Sequence, residues 1–266
     1  MHRCVYGVAG LVMWSASALV QAQAPAAAGR VLHPWQAPTP AGTAEAYFTN
    51  LKSGESIETP FLLKFGLSGG WGLAPIAKPL GGKSGHHHLL VNRDLPLDFK
   101  AALPFNEQYI HFGKGQMETV LTLAPGTYTL RMLLADGQHL PHFVYSKPLK
   151  IKVSKKNNTD PKALVGKGIA LMVSGMEQKT PFRVQFHASG LNVAHAVQQE
   201  KDTGHFKLTV SSKGGAVAEM DFVEGQTETW LAPPAGDYTL KLEFVDNIDP
   251  KQAVVGAVTT TVRVQP

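Results

Sequence analysis

Apolar residues recur at every second position in short runs, and Gly, Pro and Asn cut the runs apart. This is the pattern of strands buried on one face, because successive side chains of a strand point to opposite sides. In the first half the alternation predicts strands near 45–51, 60–67, 85–92, 108–112, 116–124, 127–135 and 146–153. In the second half it predicts 167–174, 181–188, 204–211, 216–224, 227–232, 236–245 and 255–264. No helical periodicity of convincing length competes with them. Sets of seven short strands with tight turns predict an all-β chain of two tandem immunoglobulin-like β-sandwich domains, although a barrel would alternate in the same way. Tyr128 and Tyr238, each shortly after a Gly at the start of a strand, sit where such sandwiches place a structural tyrosine corner.

The halves are versions of one unit. Pro60-Phe61-Leu62-Leu63-Lys64-Phe65 corresponds to Pro181-Phe182-Arg183-Val184-Gln185-Phe186, and Gly115-Gln116-Met117-Glu118-Thr119 corresponds to Gly225-Gln226-Thr227-Glu228-Thr229. A duplication carries its own control: residues kept in both copies belong to the scaffold, and residues peculiar to one copy are candidates for function. By that test Glu118, which recurs as Glu228, serves the fold by bonding to a turn. Gly113-Lys114-Gly115-Gln116 lacks the spacing and following helix of a phosphate loop and predicts a hairpin turn.

Residues 1–22 combine an early basic residue, an apolar run from Val5 to Val20 and the small-residue pattern Gln21-Ala22-Gln23-Ala24, which predicts a cleaved signal peptide and a periplasmic or secreted protein. The run, broken by Ser15 and Ser17, is short for a bilayer span, so no stable membrane span is expected after cleavage. The Ala/Pro-rich segment 23–42 reads as disordered, 43–153 as a histidine-rich β-sandwich domain, 154–163 as a polar linker and 164–266 as a degenerate second repeat. Loss of Arg3 with the leader lowers the formal net charge from +5 to +4. The lysines near the junction have no interleaved aromatics, which argues against a nucleic-acid partner. The only cysteine, Cys4, lies in the leader, so an exported chain has neither disulfides nor thiolate ligands.

Histidine separates the copies. Aligning Gly85-His86-His87-His88-Leu89-Leu90-Val91 with Gly204-His205-Phe206-Lys207-Leu208-Thr209-Val210 puts His87, Leu89 and Val91 on the core side and predicts His87 as a packed, hydrogen-bonded residue. His86 and His88 then share the other face, roughly 6.6–6.8 Å apart at the backbone, where two imidazoles can converge on one ion. His111 has the same outward parity, and its counterpart is Asp221. His139 and His142 lie in a loop beyond strand 127–135, and their counterparts are Asp249 and Gln252. His86, His88, His111, His139 and His142 are therefore the candidate ligands. Imidazole without thiolate favours copper or zinc. Met117 and Met132, at alternating strand positions, read as core.

The motifs Gly85-His86-His87-His88-Leu89-Leu90, Ile110-His111-Phe112-Gly113-x-Gly115-Gln116 and His139-Leu140-Pro141-His142 give residues 45–153 a resemblance to the bacterial exported domain-of-unknown-function family 4399. The resemblance implies an exported β-domain with a histidine-centred motif and supplies no activity. Three functions follow as expectations. The leading one is periplasmic metal binding; the alternative is an envelope interaction protein that binds a protein or polysaccharide partner without metal, with Trp71 in Gly69-Gly70-Trp71-Gly72 as its best feature. An enzyme ranks third, because no nucleophile and base form a recognisable pair.

Overall fold

The structure is a computed structural model in which residues 32–96 and 98–266 are described. The expected signal peptide, and residues 23–31 of the segment behind it, lie outside the described residues. Apart from one short 3-10 turn, Pro161–Leu164, the regular elements of the described residues are strands.

A two-residue strand, β1 (Gln36–Ala37), precedes the first repeat. That repeat comprises β2 (Ala46–Phe48), β3 (Ser56–Thr59), β4 (Phe61–Leu67), β5 (Gly72–Leu73), β6 (Ser84–Val91), β7 (Tyr109–Phe112), β8 (Glu118–Leu121), β9 (Gly126–Ala135), β10 (Pro141–Tyr145) and β11 (Leu149–Lys156). The second comprises β12 (Gly168–Val173), β13 (Glu177–Gln178), β14 (Phe182–Ser189), β15 (Asn192–Val193), β16 (Thr203–Ser212), β17 (Val217–Asp221), β18 (Glu228–Leu231), β19 (Gly236–Asp246) and β20 (Val258–Val264).

In the first repeat the sheet β2-β4-β8 faces β3-β11-β9-β6, which β7 extends beside β6. In the second, β12-β14-β18 faces β13-β20-β19-β16, extended by β17. The facing sheets share no hydrogen-bonded strand pair, so each repeat is a sandwich and not a barrel. Both tyrosine corners are present: Tyr128 donates its hydroxyl proton to the Ala124 carbonyl at 2.9 Å, and Tyr238 to that of Pro234 at 2.8 Å. Leu89, Met132 and Phe65 in one repeat, and Leu208, Leu242 and Phe186 in the other, are fully or almost fully buried between the sheets. Met117 joins the same core, as its alternation predicts.

The junction is tighter than a linker-separated pair of domains implies, since one apolar core runs through both repeats. The Gly-Gln-x-Glu segment of each repeat grips the turn of the other. Glu118 accepts from the Ser189 hydroxyl (2.9 Å), the Gly190 amide (3.0 Å) and His187 Nε2 (3.2 Å). Glu228 accepts from the Gly69 amide (2.9 Å) and pairs with Arg183 (2.5 Å). The amides of Val193 and Leu73 donate to the carbonyls of Gly115 and Gly225 at 3.0 and 2.9 Å. Both glycines are left-handed (φ +89° and +77°), and a β-carbon on either would collide with the backbone of the opposite repeat. Glu118 and Glu228 therefore bond to turns, as the duplication suggests, and those turns belong to the other copy.

Two expectations change. Residues 36–37, inside the segment expected to be disordered, form β1, which pairs with β18, and Trp35 packs edge-on against Tyr238 with ring centroids 5.4 Å apart. Burial of one indole supplies order that an Ala/Pro composition does not advertise. Strand β10 occupies 141–145, where a loop is expected; Pro141 and two exposed aromatics mask its alternation.

Candidate metal centre

Strand β6 is fixed between β9 and β7, with His86 opposite Ala135, His88 opposite Leu133 and, on the other side, His88 opposite His111. The parity argument holds along its length. Leu89 and Val91 point into the main core, and so does His87, whose ring meets Phe65 edge-on at 5.0 Å. Neither ring nitrogen of His87 has a hydrogen-bond partner, so it is packed but not hydrogen-bonded as expected. Burial alone pushes its pKa down to about 3, keeping the ring neutral.

His86 and His88 emerge on the opposite face into a second apolar layer formed by Leu90, Leu103, Leu133 and Ala135, with Leu95, Phe99 and Tyr109 against it. Both are buried, at 0% and 1% exposure. Leu95, Phe99 and Leu103, from the connection after β6, pack on this face, and nothing in the strand alternation reveals it. Gly113 makes room for the third imidazole, because a β-carbon there would run into the His111 ring and into Ile76.

His139 arrives from a tight turn. The Asp136 carboxylate accepts from the amides of Gln138 (2.8 Å) and Leu140 (2.9 Å), and the His139 carbonyl accepts from the Leu103 amide at 3.0 Å. The turn holds His139 in the left-handed region at φ +64°. That conformation costs a non-glycine residue about 1–2 kcal/mol, and such strain is characteristically retained at functional positions.

These segments bring His86, His88, His111 and His139 into one group, with a ligand nitrogen of each within 4.8 Å of all the others. His86 Nε2 and His88 Nε2 face each other at 2.8 Å, and His111 Nδ1 is 3.4 Å from His88 Nε2. For bonds of about 2.0–2.1 Å, donors are separated by roughly 3.3 Å in a tetrahedron and about 4.1 Å across a square plane. The observed separations, from 2.8 Å to at most 4.8 Å, bracket these values, and the four imidazoles form a group able to hold one ion. His86 Nδ1, His88 Nδ1 and His139 Nε2 are buried without a hydrogen-bond partner. Burial, and then repulsion among the rings, pushes His86 down to about 2 and His88 to about 3. Burial followed by His139 also lowers His111. At neutral pH His86 and His88 are therefore uncharged, the form a metal requires.

His142 does not join the group. Its Nε2 lies 3.1 Å from the Ser84 carbonyl and its ring centroid 4.7 Å from that of Trp71, and burial lowers its pKa. Trp71 is half-buried against the core, the packed alternative to a free loop aromatic. Phe105, which no motif marks, covers the rim: its ring centroid is 5.0 Å from that of His111 and 4.6 Å from that of His139, while 63% of the residue stays exposed.

The matching face of the second repeat holds a different chemistry. His205 Nε2 pairs with Asp221 at 3.0 Å, its Nδ1 lies 2.6 Å from the Asn247 side-chain oxygen, and Lys207 pairs with Glu219 at 2.9 Å. Burial opposes protonation of His205, but Asp221 and Asn247 outweigh it and raise the pKa. Both ring nitrogens are satisfied without an ion.

No curated protein matches the chain. Among solved structures, the fibronectin(III)-like modules of Clostridium thermocellum CbhA are similar at TM-score 0.27 and 11% identity, over 83% of this chain and 94% of that one. A two-domain fibronectin type III segment of chicken tenascin is similar at TM-score 0.22 and 13% identity, over 83% and 99%. The strand pairings, rather than these distant likenesses, establish the sandwich fold. The family described as "Domain of unknown function (DUF4399)" matches residues 63–154 and again 184–265, more than half of the chain, and the chain belongs to that family.

Proposed function

We propose that this is an exported envelope protein, periplasmic or secreted, that binds a transition-metal ion, copper or zinc, in its first repeat. His86, His88, His111 and His139 are the ligands. The observation that carries this reading is the gathering of four imidazoles from three separate segments, with buried ring nitrogens left unpartnered, on a face whose duplicate satisfies its own histidine by hydrogen bonds and an ion pair. Unpartnered buried polar atoms cost about 1–3 kcal/mol each, a cost that coordination relieves for those that ligate. The export signal in residues 1–22 supports the location, and no helix of the described residues is long and apolar enough to cross a membrane.

Calorimetric titration of mature protein carrying no polyhistidine tag tests this reading. One copper or zinc ion per chain is the expected stoichiometry, lost in a His86→Ala/His88→Ala/His111→Ala variant. Equal binding by wild type and variant contradicts it.

A further inference from the structure

The donor set carries no charge of its own. Among the described residues the group contains four imidazoles and no carboxylate or thiolate, so a bound ion brings the site's entire formal charge. Asp136, the acidic residue nearest His139 in sequence, turns its carboxylate to the backbone amides of its own loop. The floor is apolar, with Leu90, Leu133 and Ala135 fully buried and Leu103 nearly so. The rim carries the Phe105 ring, whose face attracts a cation but supplies no anionic charge.

Charge burial costs free energy as the square of the charge, so a dication pays roughly four times the penalty of a monocation of equal radius. A zinc or cupric ion normally recovers part of that through an anionic ligand or a bound hydroxide in an open position. Here the ligands are neutral and an aromatic ring occupies the rim. Of the two candidate metals, copper alone has an accessible monovalent state.

We propose that the site is a cuprous one: with copper bound, the neutral, apolar surroundings favour Cu(I) over Cu(II), and Phe105 sets part of that preference from the rim. This proposal rests on the metal-binding reading above and selects one metal and one charge state within it. Reduction adds a single electron to the bound ion, supplied in the experiment by ascorbate or a redox mediator, with no bond to the protein made or broken.

The test compares two affinities in untagged mature protein: Cu(I) by anaerobic competition with a cuprous chelator in ascorbate, and Cu(II) by competition with glycine. Wild type is expected to hold Cu(I) at least tenfold more tightly, and each tenfold raises the one-electron potential by about 59 mV. Phe105→Glu puts a carboxylate at the rim on an exposed position, so the fold is not at stake, and is expected to lower the ratio at least tenfold. Phe105→Leu, which keeps the rim apolar, stays close to wild type. Cupric binding as tight as cuprous in wild type, or a ratio that Phe105→Glu leaves unchanged, overturns the proposal while the metal-binding reading stands. If neither copper ion nor zinc binds in a manner dependent on His86, both fall together.

Discussion

The outer faces of β6 and β16 are the same place in two copies of one fold, and they solve the burial of polar side chains in opposite ways. On β16, His205 is held between Asp221 and Asn247, and Lys207 pairs with Glu219. On β6 the corresponding positions are His86, His88 and, across the strand pair, His111; their rings gather with that of His139, and His86 Nδ1, His88 Nδ1 and His139 Nε2 are buried without partners. One face is complete as it stands. The other gathers neutral imidazole nitrogens at one point, an arrangement able to hold a cation. Because the scaffolds share their main strand order and tyrosine corners, the difference lies in the side chains of that face and in the longer connection between β6 and β7, and selective change on a shared frame localises function more sharply than a histidine count does.

The most severe way to break the contrast is to give the first repeat the second repeat's chemistry. A His88→Lys/His111→Asp variant is expected to lose metal affinity by at least about a thousandfold in calorimetry, beyond the 10–100-fold typical of losing a group that merely orients a ligand. The next largest effect tests what the copies share. Glu118→Ala strands the donors of His187, Ser189 and Gly190, and Glu228→Ala leaves Arg183 unpaired, so each is expected to cost about 3 kcal/mol in urea unfolding.

Acid should then separate the faces. His86, His87 and His88 have folded pKa values of about 2 to 3, below the unfolded value, so between roughly pH 6.5 and 3 the unfolded chain binds more protons. Metal-free protein is expected to lose stability as pH falls through that window, by up to about 1.4 kcal/mol per unit for each histidine. His205, with a raised pKa, contributes in the opposite sense: its stabilisation is present in acid and fades as pH rises through its folded pKa. Urea midpoints from pH 7 to 4 for wild type and His205→Asn distinguish the two signs. The smallest effect sharpens the ligand set: His142→Ala should change metal affinity by less than tenfold, about 1.4 kcal/mol, since His142 lies against Ser84 and Trp71.

Much of this was legible in the sequence because alternation fixes which way a strand residue points. Parity along 85–91 separated His87 from His86 and His88, and the same parity placed His111 on the side of His86 and His88. The second apolar layer was illegible, because Leu103 and Phe105 belong to an irregular connection without a period. His139 and His142 were indistinguishable in a loop, where direction depends on the Asp136 turn and on the left-handed backbone at His139. The grip between the repeats escaped for a related reason: Gly-Gln-x-Glu announces a turn partner but not that the turn lies in the other copy.

An anomalous-difference map of untagged crystals soaked in copper or zinc addresses the central claim most directly. The account predicts one strong peak per chain, about 2.0–2.1 Å from nitrogens of His86, His88, His111 and His139, and none beside His205 and Asp221. A peak elsewhere, or occupied sites on both faces, would contradict it.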